Sequence, residues 1–355
     1  MPDPVLHPED ISPQWVSALL KAHGHDAEVK AITSTPIGTG QVGATYRFVL
    51  EYSGNHGNAP LTLVGKFPSN DPLSRTTGKE RLTYLREARF YSDFAGEKPL
   101  PVPEHLYLGF NEVSHDFTLI MRDLPYHRAG NQLSVPTEDE TRLAIAAAAK
   151  IHAAWWDDPI LDTLDWPNGS RAHTPNFDVN LIFQMLWPAF CDRYGDRVAD
   201  HMKIVGDAYL GKIDAWAQAV TGPRCLIHND FRPDNMLFNL DDRDCPIVIV
   251  DWQTTGVGSG ASDIAYFMGT ALDPATRRAS ERSLFESYIA YLIKNGVPKK
   301  DTENLWDAYR TAAFAGFLMG ATAAMVVERT ERGDAMFLTM CDRAATMVRD
   351  HGIAV

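Results

Sequence analysis

The residues from His228 to Asn235 (HNDFRPDN) and from Val248 to Trp252 (VIVDW) hold the most chemically suggestive spacing in the chain. A carboxylate, Asp230, is followed five residues later by an amide, Asn235, and a second carboxylate, Asp251, closes a β-branched run. Phosphoryl transfer from a magnesium nucleotide needs these groups. One carboxylate orients or deprotonates the attacking hydroxyl, here Asp230. An amide oxygen and another carboxylate, here Asn235 and Asp251, hold Mg²⁺, which prefers hard oxygen ligands and keeps waters in its other positions. Arg232 lies two residues past the base, where a cation can neutralise charge developing on the transferred group. His228 is expected to pack beneath the loop and brace its backbone. A helix cap followed by a turn would explain a lone Asp-x-x-x-x-Asn, but neither the preceding His nor the strand that delivers Asp251.

Further groups that suit the same chemistry precede this loop. Gly38, Gly40 and Gly43 form a G-x-G-x-x-G run. A dinucleotide fingerprint requires a helix next, and here a strand pattern follows; a Walker A loop would have Lys where Ala44 stands. A Gly-rich hairpin whose bare amides approach phosphates fits better, and a plain turn is the simpler alternative. Lys66 sits on the next strand, where it can reach phosphates if a carboxylate fixes its ammonium. Glu87, on the following helix, is the expected partner, with Glu80 as the alternative. Beyond Asp251, a Gly-rich segment leads to Asp263 at the start of a helix, expected to brace the catalytic loop or to cap that helix.

These groups need elements to hold them. Ser12-Pro13 opens a helix that Gly24 closes. Alternation at 44–50 and 61–67, around a polar loop, predicts a hairpin. Residues 79–95 read as one helix and 117–121 as a short strand. From residue 126 the pattern is mostly helical: a capping box of Thr137 and Glu140, then helices over 178–220, 275–295, 302–329 and 334–350. Only short strands flanking residues 241–244 interrupt them. The expected fold class is therefore α+β, with a β-rich lobe over 1–121, a hinge over 122–125 and a helical lobe over 126–355. Trp155, Trp156, Trp187 and Phe190 are expected mainly in the core, and Asp157 and Asp158 at a solvated helix end.

Composition limits the partners. The 355 residues are 45% hydrophobic and 22% charged, with a formal net charge of −13. That balance fits a globular domain and disfavours nucleic acid, whose backbone attracts basic surfaces. The uncharged run from Thr311 to Val327 is short for a bilayer span and reads as a core helix, with Gly316 and Gly320 admitting a close neighbour. The start is acidic and Pro-broken, unlike a signal peptide. Four scattered cysteines fit reduced thiols, so a cytoplasmic, membrane-free protein is expected.

Taken together, HNDFRPDN, VDWQ, the Gly-rich hairpin, Lys66 and the run 149–153 (AKIHA) make the chain similar to the aminoglycoside phosphotransferase and choline kinase-like superfamily. Its ecdysteroid kinase-like branch looks closest. The resemblance runs from Ile37 to about Met268. It implies a bilobal protein-kinase-like fold with ATP between the lobes, Asp230 as base, Asn235 and Asp251 on Mg²⁺, and Lys66 paired with Glu87. Adenine would bond the backbone around Met121, Arg122, Asp123 and Leu124, which leaves GTP open as an alternative to ATP. Two positions depart from the family's pattern, Asn229 where Gly is frequent and Arg122 where an acid is common; Trp252-Gln253 stands where protein kinases carry Phe-Gly, as in many small-molecule kinases. A protein kinase would need a long activation segment, whereas eleven residues separate Asp251 from Asp263, and no Ala-Pro-Glu follows. The acceptor expected is a small-molecule hydroxyl: an aminoglycoside, an amino alcohol, a sugar or a sterol-like alcohol. A nucleotide-binding pseudokinase is the non-enzyme alternative. Oligomeric state is not legible.

Overall fold

The sheet of the N-terminal part grows from local alternation. In this computed structural model, which describes residues 1–38, 42–164, 166 and 178–352, strands β1 (Val29–Pro36), β2 (Gly43–Tyr52), β3 (Thr62–Pro68), β4 (His105–Phe110) and β5 (Phe117–Arg122) are joined antiparallel in the order β1-β2-β3-β5-β4. Phe48 and Leu50 on β2, Leu63 and Phe67 on β3, and Ile120 on β5 point to one face. Helix α1 (Pro13–Ala22) covers that face with Val16 and Leu20. Ser12 caps α1, its hydroxyl accepting the Trp15 amide at 3.1 Å, and Gly24 leaves it at φ +83°.

The helix expected over 79–95 is two helices. Helix α2 (Pro72–Glu80) ends early, Leu82 takes a left-handed φ of +57°, and α3 (Thr83–Asp93) begins. Tyr84 packs so tightly on Gly78 that a Cβ there would lie 2.6 Å from its ring. The bend serves that contact, and periodicity does not register it. The strands β1 and β4 were not expected either; their turns carry weak signals. These elements and Asp251–Gln253 form one unit, and residues 127–250 with 254–355 form the other.

In the second unit, β6 (Arg128–Ala129) pairs with β8 (Met236–Phe238), and β8 with β9 (Ile247–Ile249). Strands β7 (Arg224–Ile227) and β10 (Gly256–Ser259) make a second antiparallel pair. The strands β8 and β9 flank residues 241–244 as expected, whereas β6, β7 and β10 are additional. The rest is helical. Helix α4 (Glu138–Ala154) opens with the Thr137–Glu140 capping box. The stretch 178–220 divides into α5 (Val179–Tyr194), α6 (Asp200–Tyr209) and α7 (Ile213–Ala219), because Gly195 and Gly211 both take positive φ. Helix α8 (Ala261–Ala271) is almost wholly buried, and α9 (Pro274–Lys294) lies along α4. The stretch 302–329 contains α10 (Leu305–Thr311) and α11 (Ala315–Val326), and α12 (Glu331–Asp350) starts three residues before the expected 334 because Thr330 caps it.

Helix α11 packs on α5, α8 and α12. At Gly316 a Cβ would strike Thr270 of α8, and at Gly320 it would lie 2.9 Å from Cys341 of α12, so these glycines set the approach distance. Trp155, Trp187 and Phe190 are buried in this unit. Among the described residues, no helix is long and apolar enough to cross a membrane.

Candidate active site

In the first unit the Gly-rich segment leads from β1 to β2, where the Ile37 amide donates to the Thr45 carbonyl at 2.8 Å. Gly38 has φ +74° with open space around it, and Gly43 pairs with Pro68. Gly40, with Thr39 and Gln41, lies outside the described residues. Tyr84 donates its hydroxyl hydrogen to the Val42 carbonyl and accepts the Ser69 amide at 3.1 Å, anchoring the turn to α3.

Lys66 projects from β3 between Thr45 and Leu119 of the neighbouring strands. Its ammonium lies 2.7 Å from Glu87 Oε2 and 2.6 Å from Asp251 Oδ1. Glu87 rather than Glu80 is thus the partner: it occupies the buried face of α3, whereas Glu80 ends α2. Asp251 holds φ +67°, a left-handed backbone that Asp tolerates better than most residues. Trp252 follows it and stacks face to face on Phe90 of α3, with centroids 3.7 Å apart and planes 2° from parallel. Gln253 donates to Asp251 Oδ2 at 3.2 Å. At the end of β5 the Arg122 side chain pairs with Glu104, and Asp123 accepts both the Leu124 amide at 2.8 Å and the Arg47 guanidinium. Met121 pairs with Val64 in the sheet.

In the second unit the candidate catalytic loop connects β7 to β8. Asn229 has φ +64°, the conformation that favours Gly; as an Asn it adopts this turn and adds a bond, its amide donating to the Thr254 carbonyl at 3.0 Å. Asp263 takes the His228 amide at 2.7 Å and the Asn229 amide at 2.9 Å. It does not cap its own helix, where Gly260 holds the N-cap position. His228 is fully buried: Nε2–H donates to the Val250 carbonyl at 3.0 Å, and Nδ1 accepts the Asp230 amide at 3.3 Å, which selects one tautomer. Asp230 then meets three donors. Arg232 Nε lies 3.0 and 3.1 Å from its two oxygens, Asn235 Nδ2 2.9 Å from Oδ2, and the Tyr266 hydroxyl 2.7 Å from Oδ1. Arg232 continues to Asp234 at 3.1 Å, and Asp234 pairs with Arg332 of α12 at 3.0 Å.

The chain was then compared with known proteins. Residues 73–295 match the model of the phosphotransferase enzyme family, well over half of the sequence. The chain belongs to that family. Its fold is that of kinases in the family: it aligns with an ethanolamine kinase of Plasmodium vivax (TM-score 0.51, 10% identity, 98% of this chain and 84% of that one). It aligns likewise with a choline kinase of Cryptosporidium parvum (TM-score 0.50, 9% identity, 90% of this chain and 88% of that one). No curated protein matches by sequence.

Within this family member the charges of the two units differ. Burial alone would lower the Lys66 pKa, but Asp251 and Glu87 push it up, so Lys66 stays a cation. Glu87 is pushed above the ordinary carboxylate range by burial and by Asp251, against the pull of Lys66. Burial also opposes ionisation of Asp230, yet the Arg232 cation and the Tyr266 hydroxyl outweigh it and hold the carboxyl below its usual value. Arg232 is pushed up in turn, with Asp230, Tyr266 and Asp234 outweighing burial.

Asn235 donates from its amide nitrogen to the Asp230 carbonyl and carboxylate, both at 2.9 Å, so its amide oxygen is the atom it could offer to a metal. In the first unit Asp251 carries a carboxylate, and each of these oxygens is by itself a hard donor of the kind Mg²⁺ accepts. The sequence reading assigned no role to Tyr266, His152 or Asp234. His152, buried on α4, contacts Asp263 Oδ2 at 3.2 Å and the Tyr288 hydroxyl at 2.8 Å. The run AKIHA pointed to it; nothing local pointed to Tyr266.

Proposed function

We propose that this member of the phosphotransferase family is an ATP- and Mg²⁺-dependent kinase of a small-molecule hydroxyl, with GTP as the alternative nucleotide. The observation that carries the reading is the Asp230 carboxylate, kept ionised by Arg232 and Tyr266 in a loop whose Asn235 has its amide oxygen left for metal. In this reading Asp230 takes the hydrogen bond of the acceptor hydroxyl and orients its oxygen at the γ-phosphorus. The new O–P bond forms, the bond to the β,γ-bridging oxygen breaks, and ADP leaves with the electron pair. The hydroxyl proton becomes acidic only as the new bond forms, so a weakly basic carboxylate suffices to receive it.

Lys66, oriented by Glu87, binds phosphate oxygens. Mg²⁺, held by Asn235 and Asp251, neutralises phosphate charge when bound. Arg232, engaged by Asp230 and Asp234, fixes the base and keeps its cation beside the reacting group. The backbone from Met121 to Leu124 takes the purine, with 1–121, 122–125 and 126–355 as lobe, hinge and lobe. Within the family we place the chain nearest the ecdysteroid kinase-like branch, on HNDFRPDN and VDWQ.

The short segment between Asp251 and Asp263 supports a small acceptor over a peptide. The likeness to ethanolamine and choline kinases is one of fold and does not select the acceptor. The cysteines are all free, and burial raises the pKa of each thiol, which supports a structural rather than redox role in a cytoplasmic protein. The test is ADP release from MgATP across aminoglycosides, amino alcohols, sugars and sterols, with Asp230→Asn as control. An acceptor-dependent signal lost in the variant supports the reading. MgATP binding without turnover on any acceptor favours a pseudokinase, and phosphate appearing on a protein favours a protein kinase.

A further inference from the structure

Helix α8 reaches the catalytic loop at two points. Asp263 takes the backbone amides of His228 and Asn229. Tyr266, three residues on and so on the same helical face, reaches the base itself, its hydroxyl 2.7 Å from Asp230 Oδ1. Tyr266 is 2% exposed, so its side chain is held by packing. Backbone bonds set where Asp230 sits, but they leave its carboxylate free to turn about its last torsion, which has broad minima. That freedom has to be removed by side chains.

An ionised carboxylate has about four acceptor sites. Here three hydrogens meet them. The Arg232 Nε hydrogen is shared between the two oxygens, an Asn235 hydrogen goes to Oδ2, and the Tyr266 hydrogen goes to Oδ1. Because the Arg232 hydrogen is shared, these three hydrogens make four contacts, two on each oxygen, and grip the carboxylate from both sides. Arg232 and Asn235 belong to the loop and move with Asp230. Tyr266 alone of the three comes from another element, so it ties the plane of the carboxylate to the core of its unit.

We propose that Tyr266 is a positioning residue for the base, its phenol holding Oδ1 of Asp230 so that the carboxylate keeps one orientation toward the acceptor hydroxyl. The role in turnover rests on the kinase reading above; the hold on Asp230 does not. The charged and titratable groups that bear on Asp230 within its unit are Arg232 and His228 from the loop, Tyr266 from α8, and, through Arg232, Asp234 with Arg332 of α12.

The variant is Tyr266→Phe, which keeps the buried ring and removes only the hydroxyl. Aspartate labelled with ¹³C at its carboxyl is followed by NMR at a fixed pH of about 7.5, the Asp230 signal being identified by its loss in Asp230→Asn. Removing the phenol that touches Oδ1 should shift the Asp230 carboxyl resonance. In parallel, kcat should fall about tenfold, a barrier increase of about 1.4 kcal/mol, with KM for ATP unchanged. An unmoved resonance overturns the proposal, whatever happens to kcat. A moved resonance with unchanged kcat, in an enzyme that turns over, overturns the role in the reaction. A moved resonance in a protein that turns over no acceptor upholds the hold on Asp230 and overturns the kinase reading instead.

Discussion

Two clusters of charge, one in each unit, use the same residue types to opposite effect. Around Lys66, one cation faces two carboxylates, Glu87 and Asp251, and the cluster is one negative charge in excess. Around Asp230, carboxylates and guanidiniums alternate through Asp230, Arg232, Asp234 and Arg332, and the charges balance. Burial raises the Glu87 pKa, and the second carboxylate adds to it, whereas neighbouring cations and donors hold Asp230 down. An excess of negative charge favours a cluster that another cation completes. A balanced one favours a rigid cluster whose base stays ionised. Environments that push carboxyl pKa values apart separate roles, and here they set Glu87 apart from Asp230; the proposed reading gives the first cluster to phosphate and metal and Asp230 to the acceptor.

The largest effect should come from the balanced cluster. Asp230→Asn keeps the shape but loses the charge, and we expect kcat to fall ~10²–10⁴-fold with nucleotide affinity nearly intact. Steady-state kinetics and nucleotide titration on the same variant decide it. Weakened MgATP binding with modest loss of kcat would erase the distinction between the clusters.

Lys66→Met should cost stability as well as the phosphate contact proposed for it. Glu87 and Lys66 are largely buried, with side chains 3% and 12% exposed, and removing the cation leaves two carboxylates facing each other. Breaking a buried pair costs about 3 kcal/mol, measurable by denaturant unfolding. Adding Glu87→Gln should restore part of that loss. If the double variant is no more stable than Lys66→Met alone, repulsion between the carboxylates is not what destabilises the single variant.

The geometry of the candidate catalytic loop was legible because its polar residues sit at short spacing: Asp230 and Asn235 meet across five residues. The Lys66–Glu87 pair was legible from chain order, although the helix bearing Glu87 was drawn too long. Leu82 breaks that helix through a contact between Tyr84 and Gly78 that no periodicity reveals. Tyr266 was invisible for a similar reason. On a helix buried nearly all round, every large side chain looks like core, and only the fold shows which one reaches Asp230. The short strands β6, β7 and β10 were missed because two to four residues hold too little alternation to read.

Asp251→Asn tests the other cluster more gently than alanine would, since Asn also tolerates the φ of +67° at this position. It removes one of the two carboxylates beside Lys66 and weakens the proposed metal donor set. MgATP affinity should fall about tenfold, while nucleotide affinity without magnesium changes little. Calorimetric titration with and without the metal checks this. An equal loss under both conditions would mean that Asp251 serves the fold or the phosphates rather than the metal.

The smallest effect is also the one in which the two clusters should differ in sign. Asp230 has a native pKa below its ordinary 3.8, so the stability it contributes is present above that value and is lost as the pH falls through the lowered one. Glu87 has a native pKa above its ordinary 4.5, so its contribution is fully present below 4.5 and is lost as the pH rises through the raised value. Arg232→Gln removes the main opponent of burial at Asp230 and should flatten the gain in stability on going from pH 3 to 6. Glu87→Gln removes a group that favours the acid side and should steepen that same gain. Unfolding free energies of the three proteins across this range decide the matter, and a change of the same sign in both variants would mean that the clusters do not titrate as opposites.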